Sequence, residues 1–316
     1  MRKILLTLSF LFAAVAFYGC SGDTTTEATF DSTSNITVYT RDTTSGTREA
    51  FFKGIGYDEA VKDNTKLVST YVEVDGNGSM ITSVQNDTFG IGYISLSSLE
   101  GTGLVGLNFE GVEATKDNVL NGTYGLQRPF NYIVRSDWSG MDTEHQIVEA
   151  FVAYMSTVDG KATIAAKHGI LESSSNDVLW DSIKSNYEVC SLDNSNVTIY
   201  FGGSTSVESI AKALSAEFSA KCGNFIAEHN HTGSGDAYIR TQGSEADGAN
   251  KLHIGFASRA FSLTTTEPAA ANTTGLICLD AVVIVLNGDN PLITNITADE
   301  IKKIYAGELT TWSEVE

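Results

Sequence analysis

The chain has 316 residues, 42% of them hydrophobic, and only 3 prolines. That describes an ordinary globular protein with room for one large or two medium domains. Its formal net charge of −19 gives a surface that repels nucleic acid and anionic lipid, and excludes a chain built to bind either through basic patches.

The N-terminus stands apart. Arg2-Lys3 precedes an apolar run from Ile4 to Ala16, then Gly19-Cys20 follows. A charged start, a short apolar stretch and a small residue before the cut describe a secretory signal over residues 1–19. The run is too short, and too abruptly polar afterwards, for a membrane span. Cys20 sits where a bacterial lipoprotein signal places its lipidated cysteine, although Phe17 stands where Leu is usual; a plain secretory signal is the alternative. Residues 20–35 are small, polar and Thr-rich, as a flexible tether would be. Loss of Arg2 and Lys3 with the signal takes the charge to about −21. Any anion that binds must then be held by local donors against the field of the whole molecule.

Ile36 to Tyr39 reads as a strand. It leads to the loop Arg41-Asp42-Thr43-Thr44-Ser45-Gly46-Thr47-Arg48 and a helix through Ala50, Phe51 and Phe52. Glu144 to Leu171 is a helical stretch with Ile147, Phe151, Tyr154 and Met155 on its apolar face. Val197 to Phe201 is a strand that opens into Gly202-Gly203-Ser204-Thr205-Ser206. The following helix aligns Val207, Ile210, Leu214 and Phe218, and Thr205 with Glu208 fits a capping box. His231-Thr232-Gly233-Ser234-Gly235-Asp236 leads to a helix from Ala237, and Leu252 to Ala257 is a strand ending at Ser258-Arg259. Asp280 to Leu286 is a β-branched run suited to a buried parallel strand, turning at Asn287 to Pro291. Thr297 and Glu300 cap a helix that carries Ile301, Ile304 and Tyr305 and stops at Gly307. Alternating strands and helices predict an α/β fold with mostly parallel sheets, in which ligands sit beyond the carboxyl ends of strands.

Two of these loops share one design: small, hydroxyl-rich residues opening an amphipathic helix. A helix N-terminus presents unpaired N–H groups and positive dipole, hydroxyls add donors, and glycine allows close approach. With Arg41, whose fork holds two oxygens at once, the pattern points to a small oxyanion rather than to an active site. His229-x-His231 has strand spacing for two metal ligands, but nothing completes the set, and a solvated strand is the expected reading. No G-x-S-x-G elbow and no P-loop lysine occurs. Neither catalysis, a metal nor a cofactor is expected. Cys190 precedes the strand that runs up to the Ser204 loop, and Cys222 follows the helix that runs back. Both fall at one end of that unit and are expected to form a disulfide in an exported protein.

Taken together, these motifs resemble the phosphate-binding proteins of bacterial ABC-type phosphate importers, which have a type II periplasmic-binding-protein fold. Gly203 to Val207 resembles that family's first anion loop, Thr232-Gly233-Ser234-Gly235 its second, and Phe256-Ala257-Ser258-Arg259 the strand end that follows. Arg41-x-x-x-Ser45-Gly46-Thr47 matches its arginine and SGT loop. Ile91 to Leu96 and Asp280 to Pro291 resemble its crossovers, Asn121 to Pro129 a late motif, and Leu309 to Val315 the segment holding a Trp. The order is unusual: the SGT half comes first, so the chain reads as a circular permutation, with Glu316 expected near Ile36.

The resemblance implies two α/β lobes around a cleft, one discontinuous (36–90 plus 278–316) and one over 91–277. It implies phosphate contacts from Arg41, Ser45, Gly46, Thr47, Ser204, Thr205, Ser206, Ser234, Gly235, Ser258 and Arg259, though Arg259 could instead pair with an acid across the cleft. The family often uses an aspartate at the Arg259 position to read the proton of phosphate. Here Asp236 is the first substitute and Asp280 the second. The implied function is capture of inorganic phosphate by a monomeric, lipid-anchored, extracytoplasmic protein. Delivery is to an ABC permease, and the only membrane contact is the lipid. A binder of another oxyanion such as sulfate, a phosphatase-like enzyme, and an adhesion or signalling protein on the same fold remain the alternatives.

Overall fold

The computed structural model describes residues 30–172, 174–290 and 292–315. The proposed signal and lipidation site at Cys20, most of the tether, and Glu316 lie outside the described residues. From Asp31 onward the chain forms one compact unit, and no described helix is long and apolar enough to cross a membrane.

The first third comprises β1 (Thr37–Arg41), α1 (Gly46–Gly54), β2 (Val72–Val74), α2 (Asn77–Gln85), β3 (Gly90–Ser95), β4 (Val105–Gly106), β5 (Asn108–Phe109) and α3 (Lys116–Leu120). Next come β6 (Gln127–Val134), α4 (Asp142–Met155), α5 (Val158–Ala166), α6 (Trp180–Ile183), β7 (Thr198–Gly203), α7 (Glu208–Ser219), β8 (Ile226–Asn230), α8 (Ser234–Ile239) and β9 (Ile254–Ala257). The chain then forms β10 (Thr274–Leu286), β11 (Asn295–Ile296) and α9 (Ala298–Ala306).

Most strands pair along one path, β2-β1-β3-β10-β6-β9-β7-β8, with β4 beside β10, while β5 and β11 form a separate two-stranded sheet. The main sheet is mixed. β1 is parallel to β2 and β3, and β7 is parallel to β8 and β9, but β10 runs antiparallel to β3, β4 and β6. The parallel reading of Asp280–Leu286 is therefore corrected. A continuous β-branched run reports burial on both faces and says nothing of strand direction.

β10 joins two regions of sheet: Thr274–Ala281 pairs with β6, and Val282–Leu286 pairs with β3. Residues 91–109, expected in the 91–277 lobe, pair with β1, β10 and β11. Ile91–Leu96, which resembles a crossover in sequence, contributes to an inner strand between β1 and β10, and that position buries Gly90–Ser95 throughout.

One core packs α4 and α7 against β6, β7 and β9 through residues such as Phe130, Phe151, Phe201, Leu214, Phe218 and Phe256. Val207, Ile210, Leu214 and Phe218 are all buried, as their spacing requires. The stretch Glu144–Leu171 is two helices rather than one. Thr157 breaks it by donating to the Tyr154 carbonyl and accepting from the Gly160 N–H, which caps α5. Near the other end of the path, Phe51 and Phe52 of α1 pack with Tyr93 and Tyr305. α9 has the expected Thr297–Glu300 capping box and ends at left-handed Gly307.

The chain ends also meet in part. The Ile36 N–H donates to the Thr310 carbonyl and the Ser313 N–H to the Ser32 carbonyl, each at 2.8 Å. Cys190 and Cys222 are joined by a disulfide.

Candidate anion site

Four loops converge, each at the carboxyl end of a strand: those after β1, β7, β8 and β9. This is where a parallel sheet gathers backbone N–H groups and small side chains. Arg41, Ser45, Thr47, Ser204, Ser206, Ser234 and Ser258 are each 3% exposed or less. Gly46 allows the closest approach. A methyl there would lie 2.4 Å from Ser234 Oγ and 2.9 Å from Ser258 Oγ, so any side chain pushes the two loops apart.

Arg41 ends β1. Its Nη2 donates to the Asp75 carbonyl at 2.9 Å and to Thr205 Oγ1 at 3.4 Å, while its buried Nε and Nη1 have no hydrogen-bond partner. Asp42 lies 3.9 Å from Nη2. Burial lowers the Arg41 pKa from its ordinary value and the positive Arg128 adds to that, against Tyr93, Asp42 and Asp75.

Arg128, near the start of β6, is a member of the site that motif reading left out. Its Nε and Nη2 lie 2.9 and 2.8 Å from Asp280 Oδ2, and Nη2 reaches Ser206 Oγ at 3.1 Å. Its buried Nη1 has no partner. Burial lowers the Arg128 pKa, with Asp280 opposing. Asp280 is itself fully buried and accepts from Ser95 Oγ at 2.7 Å and the Ser97 N–H at 3.3 Å. The signal that could have found Arg128 was present, because Arg128-Pro129 belonged to a matched motif. Nothing local to it, however, marks a buried charge.

Asn77, at the start of α2, is the second residue missed. Its Nδ2 donates to Ser206 Oγ at 3.0 Å. Ser206 Oγ thus receives Asn77 and Arg128, which fills both lone pairs of a hydroxyl. Its own hydrogen must go to Thr47 Oγ1, 2.9 Å away. The Thr47 hydrogen is then free to donate to an anion.

The remaining predicted residues fall into two groups. Ser45 and Ser204 act partly as local caps, their Oγ atoms accepting from the Arg48 and Ser206 N–H groups. Ser234 Oγ accepts from the Ser258 N–H at 3.0 Å and faces Ser258 Oγ at 3.1 Å. Thr205 is half-buried and does not form the expected box with Glu208; the N-cap of α7 is Val207, and the Thr205 hydroxyl turns to Arg41. Three residues are engaged elsewhere. The Gly235 N–H donates to the Thr44 carbonyl at 3.2 Å. The Asp236 carboxylate takes the Thr232 hydroxyl within its own loop. Arg259 pairs with both oxygens of Glu267 at 2.7 Å and with Glu49 at 3.1 Å, so its fork faces acids. That is the second of its two expected roles. The arginine sits at the strand end, but an acid on α1 and another in the following loop satisfy it.

His229 and His231 are not the solvated strand residues expected: both are part-buried and hydrogen-bonded to each other, and no described cluster of His, Cys, Asp and Glu could hold a metal ion. What the converging loops can do chemically is surround a small tetrahedral anion with guanidinium, hydroxyl and backbone donors. A buried N–H without a partner is costly, and three such guanidinium nitrogens in one place call for an acceptor.

The chain is similar to several known proteins. Residues 191–316 match the family model described as a PBP superfamily domain. The phosphate-binding protein PstS 2 of Streptococcus pneumoniae is 27% identical over 89% of this chain and 88% of its own length. Its counterpart from Streptococcus agalactiae is 26% identical over 98% of this chain and 97% of its own. A crystal structure of the phosphate-binding protein of a phosphate ABC transporter from S. pneumoniae aligns with a TM-score of 0.63 and 24% identity, covering 89% of this chain and all of the other. Each of these two matches runs collinearly along most of both chains, so the segment order read as a permutation does not set this chain apart from these relatives.

Proposed function

We propose that this chain, whose fold is that of the PBP superfamily, captures inorganic phosphate outside the cell and hands it to an ABC permease. Three buried, unpartnered guanidinium nitrogens, Arg41 Nε and Nη1 and Arg128 Nη1, carry this reading. They stand among hydroxyls of Thr47, Ser206, Ser234 and Ser258 that are shut away from water. Two arginines suit the charge and flat edges of a phosphate better than lysines, because each fork offers two parallel donors. Asp280 fixes the Arg128 fork and, with one oxygen accepting only the Ser97 N–H at 3.3 Å, keeps a lone pair able to accept a hydrogen bond from a protonated phosphate.

The binding residues are too buried for an anion to enter without movement. We therefore read the structure as a closed form of two lobes that part along β10. The division that fits the strand pairing places 36–126 with 282–315 and 127–281 in the other lobe. No chemical step is involved; opening and closing around the anion is the mechanism. The N-terminal signal and Cys20 fit a lipid anchor.

Isothermal titration tests the reading. The protein freed of ligand should bind phosphate one to one, and Arg41→Ala should weaken it by about 2–5 kcal/mol, the cost of leaving a buried charge unpaired. An Arg41→Ala affinity within about twofold of wild type, well under 1 kcal/mol, takes Arg41 out of the site.

A further inference from the structure

The pair His229 and His231 has no part in the site as described, yet it lies directly behind the first anion loop. His231 Nδ1 is 3.0 Å from the Ser204 carbonyl oxygen. His229 Nδ1 is 3.2 Å from His231 Nε2, and His229 Nε2 is 2.9 Å from Ser215 Oγ on α7. A carbonyl oxygen only accepts, so His231 carries hydrogen on Nδ1. In a neutral ring its Nε2 is then bare and accepts from His229 Nδ1–H. That leaves His229 Nε2 bare, and it takes the Ser215 hydrogen at 2.9 Å, the shorter of the two contacts open to that hydroxyl, the other being the Lys212 carbonyl at 3.1 Å. The other tautomer of either ring sets two acceptors face to face.

The two rings also close a four-ring cluster of near-parallel planes. His229 lies against Phe201 at 5.0 Å, His231 beside His229 at 5.5 Å, Phe256 against His231 at 6.1 Å and Phe201 at 6.4 Å from Phe256, with interplanar angles of 3 to 15°. Phe201 and Phe256 belong to β7 and β9, the strands that deliver Ser204 and Ser258. Burial pushes both imidazoles down to about 4, so both are neutral at pH 7. The Ser204 N–H donates to the Phe256 carbonyl at 2.7 Å, and His231 holds the other end of the same residue.

We propose that His231 is a positioning residue for the anion loop: its Nδ1–H, locked in that tautomer by His229 and Ser215, fixes the Ser204 carbonyl and so the presentation of Thr205 and Ser206. The functional consequence rests on the phosphate reading above; the hydrogen-bond chain does not. Nitrogen-15 NMR of the histidines in the full chain at pH 7 should show both rings neutral and protonated on Nδ1. A ring protonated on Nε2 overturns the proposal even if no variant folds. Titration with inorganic phosphate supplies the second arm. His231→Phe keeps a flat ring in the stack without a donor and should bind about tenfold more weakly, the value of one hydrogen bond. His231→Asn, whose amide can donate to the carbonyl, should recover most of that loss. A His231→Phe affinity equal to wild type, or no recovery in His231→Asn, overturns the proposal. Wild-type protein that binds no phosphate overturns the phosphate reading alone, and the NMR arm still decides on the chain.

Discussion

Arg41 and Arg128 bring two positive charges into a region where both are almost fully buried; Asp280 offsets one of them, and the proposed anion would offset the other. This sets different roles for the nearby carboxylates. Asp236 is held by Thr232 inside its loop, whereas Asp280 grips Arg128. Asp236→Asn is therefore expected to leave the phosphate-over-sulfate preference unchanged, and Asp280→Asn to narrow it while weakening phosphate binding. Competition titrations measure both, and a loss of preference in Asp236→Asn would return the proton-reading role to it. Arg41 was legible in the sequence because its loop carries its own pattern of Ser45, Gly46 and Thr47 at fixed spacing. Arg128 was not, because its partner Asp280 is remote in the chain and comes beside it only through the β6–β10 pairing. A third residue sets a pH dependence. His253 is buried and its Nδ1 accepts the Tyr200 N–H at 3.2 Å, which requires the neutral ring. Burial pushes it from 6.5 down to about 4. The unfolded chain therefore takes up a proton that the folded one refuses as pH falls below 6.5. Stability is full above that value and is lost toward pH 4, by on the order of 2 kcal/mol from this group. Thermal melts between pH 7 and 4.5 should show a steeper decline for wild type than for His253→Asn, and parallel declines would contradict this.

Among the elements, α1 ties the halves of the molecule together at both of its edges. Its first residues, Gly46 and Thr47, press on Ser234, Ser258 and Ser206, and its Glu49 reaches Arg259 beyond β9. Glu267 holds the same guanidinium from the other side, which lowers the Glu267 pKa against burial and raises that of Arg259. The Glu49–Arg259 pairing joins α1, in one proposed lobe, to the loop after β9, in the other, so it must break if the lobes part. Glu49→Gln is expected to speed phosphate release several-fold with little change in association rate, as stopped-flow displacement would read. Unchanged release would show that Arg259 is held by Glu267 alone. Local sequence rules served best where an element settles its own ends. The Thr297–Glu300 box and the Gly307 stop of α9 follow them. They failed at α7, where Thr205 has a stronger claimant in Arg41, and in the 144–171 stretch, where a single threonine with two backbone bonds divides the helix.

The whole molecule poses an electrostatic problem: a chain of formal charge −19 is to collect an anion. Long-range repulsion slows approach, so affinity must come from a small, dry, donor-rich centre, which the four converging loops supply. The α/β alternation and the placement of those loops at strand ends were readable because hydrophobic period and glycine-serine loops are local signals. The antiparallel crossing of β10 and the true neighbours of β3 were not, since pairing partners depend on residues far along the chain. The central claim is that this centre accepts phosphate in preference to other oxyanions. Parallel calorimetric titrations of ligand-freed protein with phosphate, sulfate and molybdate test it most directly. The account predicts one-to-one binding of phosphate, with sulfate and molybdate at least about a hundredfold weaker for want of a proton to share with a buried acceptor. Equal affinity for sulfate, or no heat with phosphate, would contradict it.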